Sequence, residues 1–141
     1  MRSLKLGVIV AILVVAVGPA LAADADLLSA AEQMDHERIE RLLKQGADPD
    51  AASDYGTTPL HVACENRDDA AVALLLRAGA DPDAATWSGE TVLMHCARTG
   101  ATKSIKALLK KGADPDAAEG RKAQTALMWA SAFGHEGAVR A

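Results

Sequence analysis

The chain has 141 residues, with 19 acidic against 15 basic side chains, four aromatic residues and two cysteines. A net charge of −4 argues against nucleic acid or an anionic lipid surface as partner. The length suits one domain able to bury a core.

Arg2 and Lys5 precede the uncharged apolar run from Leu6 to Val17, which gives way to Gly18-Pro19 and then Ala20-Leu21-Ala22. A basic start, a short apolar run, a helix breaker and an A-x-A site together predict a secretory signal over 1–22, cleaved to leave Ala23 first. A retained anchor is the alternative, though the run is shorter than the ~20 residues of a spanning helix. The signal and the alanine-rich body point to a bacterial envelope protein, periplasmic or secreted, with no membrane association after cleavage. Loss of Arg2 and Lys5 would take the net charge from −4 to −6.

Beyond Ala23 one stretch, Gly-Ala-Asp-Pro-Asp-Ala-Ala, occurs unchanged at 46–52, 79–85 and 112–118, and a fixed period must be explained before any single residue. Each copy follows apolar residues at helical spacing: Ile39, Leu42 and Leu43, then Val72, Leu75 and Leu76, then Ile105, Leu108 and Leu109. The glycine reads as a helix stop, the proline prevents resumption, and the aspartates bond nearby backbone N–H groups. A calcium loop needs about six to eight oxygens, whereas each copy brings two carboxylates, so these are turns and no metal is expected.

After each turn come Thr58-Pro59-Leu60-His61-Val62-Ala63, Thr91-Val92-Leu93-Met94-His95-Cys96 and Thr125-Ala126-Leu127-Met128-Trp129-Ala130. Threonine caps a helix and proline fits its first turn, while leucine and alanine let a neighbouring helix approach. With a period near 33 and the first copy reading Thr-Pro-Leu-His-x-Ala, the chain resembles ankyrin-repeat proteins. That resemblance implies an all-α solenoid of helix pairs joined by hairpin-like loops. Four units are expected, about 23–52, 53–85, 86–118 and an incomplete 119–141.

Departures from the pattern carry expectations of their own. The first unit lacks the Thr-Pro-Leu-His motif, with Asp24 or Asp26 available as its helix cap. Met94 and Met128 replace the motif histidine, so its bond to the threonine hydroxyl should be missing in two units. The fourth unit has one extra loop residue, and its tip should bulge. It also stops at Ala141, before the leucine pair and the next turn, and is expected either to continue or to fray. Glu37 with Arg41 and Glu40 with Lys44 have the spacing of helical ion pairs. Lys103, Lys106, Lys110 and Lys111 read as a solvated helix face.

Cys64 and Cys96 fall on inner helices of adjacent units, one residue out of phase. Stacked helices lie about 8–10 Å apart and a disulfide needs Cα atoms within about 7 Å, so two buried free thiols are expected. The histidines, His36, His61, His95 and His135, are scattered over separate units. No nucleophile elbow, phosphate-binding glycine loop or zinc-spaced cluster is present, so neither catalysis nor a cofactor is expected.

The resemblance implies a monomeric, non-catalytic module that binds a protein partner through loop tips and inner helices. The alternative is a protective envelope protein, serving in oxidative stress or as immunity to a toxin. Tyr55 and Trp87 fall on consecutive tips and Phe133 at the end of an inner helix, positions that the family leaves variable. With Glu65, Asn66, Glu90, Arg98 and Thr99 as a polar rim, they form the expected partner site. Trp129 falls within an inner helix and is assigned to packing.

Overall fold

A computed structural model describes residues 22–141, so the expected signal segment lies outside the described residues except for its last position. Eight helices follow in pairs among the described residues: α1 (22–32) with α2 (His36–Lys44), α3 (Pro59–Glu65) with α4 (Asp69–Arg77), α5 (Val92–Thr99) with α6 (Thr102–Lys110), and α7 (Ala126–Ala132) with α8 (Glu136–Val139). Inner helices α3, α5 and α7 stack in one row and outer helices α2, α4, α6 and α8 in a second. The core runs between the rows, from Leu27 and Ile39 through Leu60 and Leu75 to Met94 and Leu108.

The turn glycines end the outer helices by the mechanism their sequence implies. Gly46, Gly79 and Gly112 have φ between +91° and +93°, a backbone that a side chain would strain. The next residue's N–H then reaches back to the helix: Ala47 to Leu42, Ala80 to Leu75 and Ala113 to Leu108, at 3.0–3.1 Å. Those alanines are buried, closing the apolar end of each turn.

The Asp-Pro-Asp carboxylates form a relay of backbone bonds. The first aspartate of each copy accepts the N–H of the second at 2.9 Å: Asp48 from Asp50, Asp81 from Asp83, Asp114 from Asp116. The second aspartate reaches forward one unit, Asp50 to the N–H of Asp81 at 2.8 Å and Asp83 to that of Asp114 at 2.7 Å. Asp24 begins this relay by accepting the N–H of Asp48 at 2.7 Å. Asp24 and Asp26 are therefore not caps of α1: both lie within the helix, and Asp26 pairs with Arg38 at 2.9 Å. Of the two expected helical pairs, Glu40–Lys44 forms at 3.1 Å, while Glu37–Arg41 is not among the ion pairs of the described residues.

The two cysteines are joined, contrary to the expectation of free thiols. Cys64 on α3 and Cys96 on α5 form a disulfide with their Cα atoms 4.6 Å apart. Helix-axis spacing is a poor guide to Cα separation. Each Cα cylinder has a radius of about 2.3 Å, so axes 8–10 Å apart leave facing Cα atoms only about 3.5–5.5 Å apart. Ala63 and Ala97 beside them are small enough to permit that approach.

The fourth unit departs from the others at both ends. Its loop takes the extra residue into the turn, where Ala123 holds φ +51°. The Glu119 carboxylate binds the N–H groups of Arg121 at 2.7 Å and Lys122 at 2.5 Å, which keeps that carboxyl below the usual range. Helix α8 has four residues where α2, α4 and α6 have nine. The motif leucine is 0% exposed at Leu60, 4% at Leu93 and 55% at Leu127.

Candidate functional site

Each tip is a hairpin closed across its base, by Ser53 N–H to Thr57 carbonyl (2.9 Å), Thr86 to Glu90 (3.0 Å) and Glu119 to Gln124 (3.0 Å). Neighbouring tips are tied to one another. The Trp87 N–H donates to the Tyr55 carbonyl, and the Gly120 N–H to the Ser88 carbonyl, both at 3.2 Å. A Cβ on Gly56 would meet Trp87 Cδ1 at 2.9 Å, so the indole edge lies against a glycine that leaves room for it. Tyr55 and Trp87 stay 77% and 80% exposed on this framework.

Below the tips the inner helices form a polar floor. Thr58 donates its backbone N–H (3.2 Å) and its hydroxyl (2.9 Å) to His61 Nδ1, which leaves the ring proton on Nε2 to bond the Glu90 carbonyl at 3.3 Å. Burial, then the neighbouring His95, pushes the His61 pKa down to about 4. The two imidazoles meet edge to face with centroids 4.9 Å apart. His95 Nδ1 lies 2.8 Å from a Glu65 oxygen that Arg98 also holds at 2.6 Å. Burial lowers the His95 pKa too, against the opposing pull of Glu65. Arg98 in turn lies over the Trp129 ring, 5.7 Å from its centre.

The expected histidine bond is indeed absent where methionine stands. In the third unit the Met94 thioether takes the Thr91 N–H at 3.4 Å, a weak acceptor replacing a good one. In the fourth the Met128 side chain is exposed.

The structure brings together some of the residues singled out in the sequence and separates others. Tyr55, Glu65 and Asn66 line one groove with Leu28, Glu32 and Val62. Trp87 stands on the next tip, and Glu90 at that tip's base reaches towards His95, with 3.5 Å between Oε2 and Nε2. Thr99 is spent on the backbone, its hydroxyl donating to the Cys64 carbonyl at 3.0 Å. Asn66 bonds the Ala31 carbonyl at 3.3 Å and so ties α3 to α1. Phe133 lies apart, exposed and stacked on His135. His135 itself bonds the Arg98 carbonyl at 2.9 Å, and His36 pairs with Asp68 across the outer helices at 2.7 Å.

Sequence reasoning missed His95 as the centre of the floor. The signal was present: Glu65 and Arg98 occupy one motif position a single period apart, and opposite charges there read as a pair between units. His95 precedes Arg98 by one helical turn and faces the same carboxylate.

A family model described as ankyrin repeats (3 copies) matches residues 27–119 and 88–141. Comparison with curated proteins found no match. Among the described residues no helix is long and apolar enough to cross a membrane.

Proposed function

Because this chain belongs to the ankyrin-repeat family, a fold of non-catalytic protein-interaction modules, we propose that it binds a protein partner in the bacterial envelope through the ridge of Tyr55 and Trp87 and the floor beneath them. One observation carries the reading: two large aromatics stand more than three-quarters exposed on consecutive tips that a backbone bond fixes together. Aromatic side chains have few rotatable bonds to freeze on binding and are the usual anchors of interfaces. Glu65, Glu90 and Arg98 supply the polar surround, with Asn66 and Thr99 bracing the helices below. Export is supported by the disulfide, since such bonds persist in oxidising compartments.

The test is capture of the partner from osmotic-shock fluid by the full-length protein, with the N-terminus of the native protein read from the same fluid. Export predicts a start at Ala23; protein that stays with membranes and keeps Met1 overturns it. Tyr55→Ala with Trp87→Ala should weaken partner binding by about 2–4 kcal/mol while unfolding changes by less than about 0.5 kcal/mol. A double variant that melts earlier yet binds as well as the parent shows that the aromatics only brace the loops.

A further inference from the structure

The floor of the ridge is rich in acceptors and short of donors. With the Nδ1 proton of His95 directed at Glu65, its Nε2 presents a lone pair, and that atom is buried with no hydrogen-bond partner. What it faces is another acceptor, Glu90 Oε2, 3.5 Å away. While the ring is neutral, neither group satisfies the other. The Glu90 side chain is 32% exposed, so its carboxylate can be reached from outside although the histidine cannot.

On the side of the second unit the charge runs one way, while Arg121 and Lys122 stand exposed on the tip beyond Ser88. Glu32 and Glu65 line the groove beside Tyr55, and Asp54 stands exposed on the same tip. Arg98, the cation beside this floor, is already held by Glu65 and Trp129. That contact shows what the surface accepts: a guanidinium with a carboxylate at its edge and an indole at its face. Trp87 and Glu90 lie three residues apart on one loop and bring an exposed indole and a partly exposed carboxylate, the two kinds of group that an arginine or lysine takes.

We propose that the segment seated on this ridge is a cationic one, an arginine or lysine flanked by apolar side chains, with its charge at Glu90 and its stem against Trp87 and Tyr55. The inference rests on the ridge being the binding face, and it names the chemistry of what binds there.

Selection of a random peptide display library on the full chain tests it. Enriched peptides should carry arginine or lysine beside apolar residues and should lose affinity when Tyr55 and Trp87 become alanine. Glu90→Gln should weaken them about tenfold, and raising salt from about 0.05 to about 0.5 M should do the same on the unaltered chain, a readout that requires no substitution. Enrichment of uncharged or acidic peptides that depend on Tyr55 and Trp87 but ignore Glu90→Gln overturns the cationic partner and leaves the ridge standing. Peptides indifferent to Tyr55 and Trp87 overturn both, and a selection with no enrichment overturns the cationic segment.

Discussion

The junction between the second and third units and the junction between the third and fourth bring their inner helices equally close, yet they are fastened by different groups. Between α3 and α5 there is a disulfide, a threonine hydroxyl crossing to the Cys64 carbonyl, and a histidine whose two nitrogens both have partners. Between α5 and α7 the motif histidine is methionine. Arg98 over Trp129 and the His135 bond to the Arg98 carbonyl cross towards the last unit. There Leu93, Ile105, Leu127 and Val139 line an open apolar groove. In a stack whose units touch only their neighbours, stability is set interface by interface. Tyr55 and Trp87 stand exposed on the tips over the first of these junctions, the one that carries the disulfide.

The largest effect should come from truncating one motif leucine in two units. Leu60→Ala removes a fully buried side chain and should cost about 2–5 kcal/mol, whereas Leu127→Ala, more than half exposed, should cost under about 1 kcal/mol. Urea unfolding of the two variants compares them directly. Equal losses would mean that the last junction is as closed as the others.

Removing the staple comes next. Cys64→Ala with Cys96→Ala frees a loop set by a separation of 32 residues, for a loss of about 3–4 kcal/mol by chain entropy. Reductant added to the parent in denaturant should reproduce that loss and leave the double variant unmoved.

Acid should loosen the same junction. His61 titrates at about 4 in the fold, below the 6.5 of an unperturbed histidine, so the unfolded chain binds more protons between those values. Its contribution is therefore complete above about pH 6.5 and is lost as pH falls towards 4, up to about 3 kcal/mol. His95, shifted in the same direction, adds to the slope. Unfolding measured from pH 7 to 4 should show stability falling, and His61→Gln should flatten the curve by close to one proton.

Much of this architecture was legible in advance because its parts are local. Gly79 ends α4 and Thr58 with Pro59 begins α3 through contacts within a few residues, and such contacts repeat with the period. What was not legible depends on how the units approach. The Cys64–Cys96 bond turns on a Cα separation that an axis spacing conceals, and the forward reach of Asp50 to Asp81 requires two turns to be laid side by side. The ridge was visible as aromatic tips; its floor was not, because His95 reads as one more helix residue until Glu65 is placed against it.

Native-state hydrogen exchange tests the contrast between the two junctions most directly, since it reports the opening of each helix separately. Amides of α3 and α5 are predicted to exchange only through global unfolding, and those of α7 and α8 to exchange faster, by about tenfold or more, through local opening of the last unit. Uniform protection across all four helices would contradict the account.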